Sequence, residues 1–304
     1  MVNQDSLVTV IITTYKRPPE MVKRALDSVL RQSHRELEIV VVDDSPATYE
    51  HRLDVKNMAL AFGDPRIKYL ENETNVGACA SRNRAIRESV GEFVIYVDDD
   101  DELLSDCIEK RLTGFDSEKV GLVYSDCIYV DEKAGKEYRS NQVKVRGYVY
   151  EQLIIENFIL AFPMLRRECF LTSGMFDESL PASQDWDMWL RVSKDYEINY
   201  IDEALSRVHL HQNERISTNP HKKIIGLEKI YELNKEYIEQ TPHTAYLKVK
   251  ELVPYYIAAG EIRKGWKMCN KSIKIEPKNV KGNVFTLLLA GWGTCKYIFR
   301  KREL

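Results

Sequence analysis

Four short apolar runs, Leu7–Thr13, Glu38–Val42, Ile67–Leu70 and Phe93–Val97, punctuate the first hundred residues and are rich in Val and Ile. Runs so nearly continuous in apolar residues fit strands buried on both faces, as in a parallel sheet covered by helices. The stretches between them, Glu20–Gln32, Glu50–Phe62 and Ala78–Val90, predict crossover helices, the first opened by Pro18-Pro19. This alternation constrains the chain to an α/β architecture with a mostly parallel sheet. Further along, Leu103–Phe115 predicts a helix, Val120–Val130 a longer strand, and Lys133-Ala134-Gly135-Lys136 a hairpin turn. Tyr148–His211 is a second mixed segment containing an amphipathic helix, Trp186–Lys194. Beyond about Ser217 the pattern is helical only. The expected division is an α/β domain over residues 1–217 and a helical tail over 218–304.

The fourth run ends in four consecutive carboxylates, Asp98-Asp99-Asp100-Asp101. Like charges this close repel and raise one another's pKa, so a folded chain seldom keeps them together without a cation. If the strand continues, Asp98 and Asp100 project to one side. Two hard oxygen donors spaced in that way suit Mg²⁺ or Mn²⁺ with positions left for a phosphate. A solvated acidic turn is the plain alternative. A calcium loop would use Asp98, Asp100, Glu102, Asp106 and Glu109, but Leu103 stands where its sharp turn needs Gly.

The net charge of −3 over 304 residues gives no support for a nucleic-acid partner. Six cysteines without any CxxC spacing argue against a zinc knuckle and a disulfide framework, and fit a reducing compartment. No basic segment followed by an apolar core opens the chain, so no signal peptide is expected. No run reaches the ~18 apolar residues that a span requires. The expectation is a cytoplasmic protein.

Ligands of open α/β sheets bind outside the carboxyl ends of the strands. Three predicted strands end there in polar residues: Thr13-Thr14-Tyr15-Lys16-Arg17, Asp43-Asp44-Ser45 and the Asp98–Asp101 run. Thr and Asp can hydrogen-bond a uracil-like ring edge and Tyr15 can stack on it. Neither GxGxxG nor GxxxxGK[ST] is present, so a dinucleotide fold of the Rossmann type and a P-loop lack support.

Several of these segments resemble the family 2 glycosyltransferases of the GT-A fold. They are Val8-Thr-Val-Ile-Ile-Thr-Thr-Tyr15, Ala25-Leu-Asp-Ser-Val-Leu-Arg-Gln32, Glu38-Ile-Val-Val-Val-Asp-Asp-Ser45, Asn75-Val-Gly77 with Ser81-Arg-Asn83, and Gly91–Asp101. The resemblance implies a Rossmann-like, mostly parallel mixed sheet and a nucleotide-diphosphate-sugar donor, a UDP-sugar foremost. It implies that Thr13, Tyr15 and Asp44 contact the base, with Asp43 beside them, and that Arg82 and Asn83 lie near the sugar–phosphate. Asp98 and Asp100 would form the metal-binding pair, Asp100 as the direct ligand, with Asp99 among the nucleotide-binding residues.

Met175-Phe176-Asp177-Glu178 followed by Gln184-Asp185-Trp186-Asp187 is similar to the family's acceptor-side motif, in which an Asp at a helix start is the catalytic base. Asp185 matches that base; Gln184 stands where the family usually has Glu, and Trp186 follows. On the residues alone, Asp185 as a helix N-cap is an equal reading. Arg207-Val208-His209-Leu210-His211 resembles the segment that approaches the diphosphate, making Arg207 and His209 candidate contacts and His211 a candidate metal ligand. The implied reaction is inverting transfer to a hydroxyl of a saccharide or lipid-linked acceptor. A sugar-1-phosphate nucleotidyltransferase and a degenerate nucleotide-sugar-binding scaffold stay open as alternatives.

In the tail, Tyr255–Glu261, Lys264-Gly-Trp266 and Ser272–Asn279 look like one tetratricopeptide-type hairpin. Val284–Phe299 is apolar and aromatic and runs into Arg300-Lys301-Arg302. That pattern fits either a helix lying on the cytoplasmic face of an anionic membrane or internal packing.

Overall fold

The computed structural model describes residues 5–210 and 219–302. The first third alternates as its sequence demands: β1 (Val8–Thr14), α1 (Pro19–Leu30), β2 (Leu37–Asp43), α2 (Arg52–Ala61), β3 (Ile67–Glu71), α3 (Ala78–Arg87) and β4 (Phe93–Asp98). There follow β5 (Glu102–Leu103), α4 (Cys107–Thr113), β6 (Val120–Asp131), β7 (Lys136–Arg139), α5 (Tyr150–Ile155), β8 (Met164–Arg166), α6 (Arg167–Thr172), α7 (Gln184–Asp195) and β9 (Glu197–His209). The remainder is helical: α8 (Pro220–Leu233), α9 (Lys235–Ile238), α10 (Pro242–Ala258), α11 (Ile262–Ile275) and α12 (Val280–Arg302).

Among the described residues one mixed sheet runs in the order β3-β2-β1-β4-β8-β6-β9-β5, with β7 beside β6. Strands β3, β2, β1 and β4 are mutually parallel, as are β6 and β9, while β8 pairs antiparallel between β4 and β6. Val10, Ile12, Ile39, Val41 and Ile95 are wholly buried. Each such side chain contributes about 1.5–3 kcal/mol by leaving water, which explains why these strands read as unbroken Val/Ile runs.

The expected helix at Leu103 begins instead at Cys107, because Glu102 and Leu103 are drawn into the sheet. They pair antiparallel with Arg207 and Ser206 of β9, and Leu103 N donates to Ser28 Oγ at 3.1 Å. The polar segment after β6 turns back into β7, as the Lys133–Lys136 turn predicted.

The described chain forms two compact units. Residues 5–153, 157–178 and 188–210 make the first, and 154–156, 179–187 and 219–302 the second. Among the described residues the chain crosses between the units after residues 153, 156, 178 and 187, the first of these within α5 and the last within α7. In the second unit α10, α11 and α12 share a core of Val253, Ile257, Cys269 and Ala290.

Candidate active site

The carboxyl ends of β1, β2 and β4 lie side by side because the strands are parallel and in register. Thr13 of β1 pairs with Val42 of β2 and with Asp98 of β4, and Thr14 pairs with Asp43. Thr13 is half-buried and Tyr15, just past the strand, is exposed with Lys16 Nζ 5.4 Å from its ring centroid. The polar residues expected at these strand ends are therefore neighbours.

The acid run leaves the strand sooner than predicted. β4 ends at Asp98, and Asp101 N donates to the Asp98 carbonyl at 3.2 Å, closing a turn. Exposure nevertheless alternates: Asp99 and Asp101 are buried, Asp98 and Asp100 half-buried. The repulsion is answered by arginines. Arg17 Nε donates to Asp99 Oδ1 at 3.0 Å and its Nη2 to Asp100 Oδ2 at 2.7 Å. Arg82 Nη2 donates to Asp98 Oδ1 at 3.1 Å, and Arg24 Nη2 to the Asp100 carbonyl at 2.6 Å. Asp101 Oδ1 accepts from His209 N at 2.7 Å, tying the end of β9 to the turn. Burial pushes the Asp99 carboxyl up to about 6, against the opposing pull of Arg17.

Asp43 and Asp44 are buried and act within the chain. Asp43 accepts from Ser45 N at 2.8 Å and from the Tyr69 hydroxyl at 2.8 Å. Burial and the Asp43 charge push the Tyr69 phenol far above its usual range. Asp44 accepts from Asn72 Nδ2 and from the backbone N–H groups of Val76 and Gly77, all within 2.9 Å. Gly77, at φ 90°, opens α3 in a conformation that side chains rarely adopt. Asp44 thus fixes the loop from which α3 starts, and α3 carries Arg82 and Asn83. The Arg82 guanidinium lies 4.4 Å from the Tyr96 ring centroid and 5.6 Å from that of Phe176. Asn83 brackets the segment after α6, donating to the Phe176 carbonyl and to Glu178 and accepting from Phe176 N.

At the other end of the expected site, Arg207 pairs with Glu137 of β7 at 2.6 Å. His209 is buried, with Nδ1 3.1 Å from Glu132 and Nε2 3.0 Å from Glu102. Both ring nitrogens are thereby engaged by carboxylates. His211 lies outside the described residues. The calcium-loop alternative fails: Glu102 faces His209, Asp106 pairs with Lys110, and Glu109 accepts from Ser33. Among the described residues no group of three His, Cys, Asp or Glu could hold a metal by itself. Asp98 and Asp100 are the two half-buried carboxylates of the run, each paired with a different arginine; hard oxygen donors of this kind suit Mg²⁺ or Mn²⁺.

The acceptor-side motif opens α7 in the second unit. Gln184 Nε2 donates to the Leu180 carbonyl at 3.1 Å, Asp185 is half-buried, and Trp186 is buried with Lys248 Nζ 4.0 Å from its ring centroid. The sequence reading expected Arg82 at the sugar–phosphate and quoted Arg17 in the polar segment of Thr13 and Tyr15, but foresaw neither one's pairing with the acid run; it missed Arg24, Lys223 and Lys248.

Residues 9–176 match the profile of the glycosyl transferase family 2. The chain belongs to that family. The family 2 chain is 31% identical to Escherichia coli K12 WcaA, a glycosyl transferase named for colanic acid biosynthesis, over 77% of this chain and 83% of WcaA. Its fold is that of the GT-A glycosyltransferases. It superposes on S. aureus TarS 1–349, solved with UDP-GlcNAc, with a TM-score of 0.64 at 20% identity, covering 96% of this chain and 89% of that one. It superposes on the Pyrobaculum calidifontis mannosyltransferase PcManGT, solved with GDP-Man and Mn²⁺, with a TM-score of 0.57 at 17% identity, covering 95% and 87%. This protein is a glycosyltransferase.

Proposed function

We propose that the enzyme transfers a sugar from a nucleotide-diphosphate-sugar, a UDP-sugar foremost, to a hydroxyl of a saccharide or lipid-linked acceptor, with inversion at the anomeric carbon. The observation that carries this reading is the pair Asp98 and Asp100. They are the half-buried members of an otherwise buried acid run at the carboxyl end of a parallel strand, Asp98 in register with Thr13 and Asp100 in the turn that follows. A divalent ion, Mg²⁺ or Mn²⁺, held by these two carboxylates would supply Lewis-acid stabilisation of the departing diphosphate. The ligands named for TarS and PcManGT support the donor class and the metal.

Asp185 takes the proton of the acceptor hydroxyl as its oxygen bonds to the anomeric carbon. The bond to the diphosphate breaks and its electron pair leaves with the nucleotide. Thr13 and Tyr15 receive the base, and Arg82 lies beside the sugar–phosphate. The relation to WcaA supports a role in polysaccharide biosynthesis at the cell envelope.

The tail brings the enzyme to an anionic membrane surface. Helix α12 is turned inside out for a helix in water: Asn283, Thr286 and Ala290 are buried, while Val284, Phe285, Leu288 and Trp292 are exposed. Lys250 and Lys296 lie over Phe285 and Trp292, and α11 and α12 contain ten Lys and Arg but no Asp or Glu. Apolar area ringed by cations suits an interfacial helix, and no described helix is long and apolar enough to cross a membrane.

The test is turnover of UDP-GlcNAc, UDP-glucose, UDP-galactose and GDP-mannose with Mn²⁺, water standing in for the acceptor. Release of a nucleoside diphosphate from at least one supports transfer. Release of pyrophosphate from UTP supplied with a sugar-1-phosphate, in place of turnover of the nucleotide-sugars, indicates a nucleotidyltransferase, and binding without turnover a scaffold.

A further inference from the structure

Ser183, the residue before α7, has φ 61°, a left-handed conformation that a side chain other than Gly adopts only when its surroundings impose it. Its carbonyl accepts from Asp187 N at 3.1 Å, so the orientation of this one peptide sets the start of the helix. Two residues of α8 press on it. Lys223 Nζ donates to Ser183 Oγ at 3.1 Å. Gly226 lets the α8 backbone approach so closely that a Cβ there would stand 2.4 Å from the Ala182 carbonyl oxygen. From α10, Lys248 covers the buried Trp186 while pairing with Glu251. All of these residues belong to the second unit.

We propose that Lys223 and Gly226 form a clamp that holds Ser183 left-handed and thereby aims Asp185. Lys223 is a positioning residue for acceptor activation, and α8 is part of the catalytic apparatus. The inference rests on Asp185 being the base. A lysine is costly here. Burial pulls the Lys223 ammonium below its usual pKa, and the Glu251 and Asp185 carboxylates oppose that pull. Its long stem lets one cation reach both the Ser183 hydroxyl and the field of Asp185. A neutral side chain could fill the volume without fixing the peptide.

The test uses the full chain as Lys223→Met, Lys223→Arg, Ser183→Ala and the double variant Ser183→Gly/Lys223→Met. The four nucleotide-sugars above serve as probes, together with UDP affinity, thermal melting and crystal structures. Lys223→Met should lose turnover by roughly 10- to 100-fold, the scale of a misplacement near 1 Å, with UDP affinity unchanged. Lys223→Arg should keep most of the turnover. Ser183→Ala, which removes only the hydroxyl, should show a smaller loss in a chain that folds. Glycine at 183 should recover much of the loss in the Lys223→Met background, because it takes the left-handed conformation unaided. In crystals of Lys223→Met, Ser183 should leave positive φ and Asp185 should shift.

Full turnover in both Lys223→Met and Ser183→Ala, or an unmoved Ser183 and Asp185, overturns the clamp. A loss that Ser183→Gly does not recover overturns it too, since the lysine would then act through charge or packing alone. The base reading fails separately, if Asp185→Asn keeps wild-type turnover. Should wild type turn over none of the probes, the crystal structures still decide the clamp.

Discussion

Arg17 binds two members of the acid run at once, with Nε 3.0 Å from Asp99 and Nη2 2.7 Å from Asp100. The cation demanded by four adjacent carboxylates is thus partly supplied by the chain itself. An arginine on Asp100 competes with any metal for the same oxygens. Arg17→Leu should therefore raise the affinity for Mn²⁺ without nucleotide by about 10-fold, since a neighbouring opposite charge is worth 1–3 pKa units. Electron paramagnetic resonance of free Mn²⁺ measures it. Unchanged or weaker binding would mean that Asp100 is not a ligand.

Asp44 accepts from Asn72, Val76 and Gly77 while buried. Gly77 N keeps Asn75 Oδ1 and Asn72 Nδ2 keeps Ser81 Oγ, so removing Asp44 takes the acceptor from Val76 N and one bond from each of the other two. Asp44→Ala should lower stability by about 1–3 kcal/mol, the penalty for unsatisfied buried groups. The urea midpoint reports it. A variant as stable as wild type, with only nucleotide binding weakened, would show that the carboxylate serves the ligand and not the loop.

Asp185→Asn should lower turnover by roughly 10² or more, the scale of general-base loss. Nucleotide affinity should remain near wild type. Loss of UDP binding or of the fold would return Asp185 to the role of a helix cap.

Leu288 and Trp292 are 65% and 67% exposed, so replacing both with Ser should leave the melting temperature nearly unchanged. Sedimentation with phosphatidylserine vesicles at low salt should fall sharply in that variant. Equal sedimentation of variant and wild type, or none by wild type, removes the membrane role of α12.

Much of the parallel half of the sheet was legible because β1, β2 and β4 are buried on both faces and advertise it as Val/Ile runs. That the polar strand ends are neighbours was legible too, because parallel strands in register bring their carboxyl ends side by side; that Asp43 and Asp44 bind Ser45, Tyr69, Asn72, Val76 and Gly77 was not. The two-residue β5 was not, since Glu102 and Leu103 are recruited by β9 from far along the chain and carry no local period. The arginine contacts to the run were hidden in the same way, for Arg24 and Arg82 sit on helices and meet Asp100 and Asp98 only through the fold. Lys223 and Lys248 lie on tail helices whose spacing says nothing of Ser183 or Trp186. The inside-out packing of α12 was half visible, in that its apolar residues were evident but the side they face was not.

Calorimetric titration of UDP into wild type and Asp100→Asn, each with Mn²⁺ and with excess chelator, tests the metal-assisted reading most directly. Wild type should bind UDP tightly only with Mn²⁺, and Asp100→Asn should bind weakly in both conditions. Tight binding of UDP by wild type in chelator, or by Asp100→Asn in Mn²⁺ as strongly as wild type, would contradict a donor site built on Asp98 and Asp100.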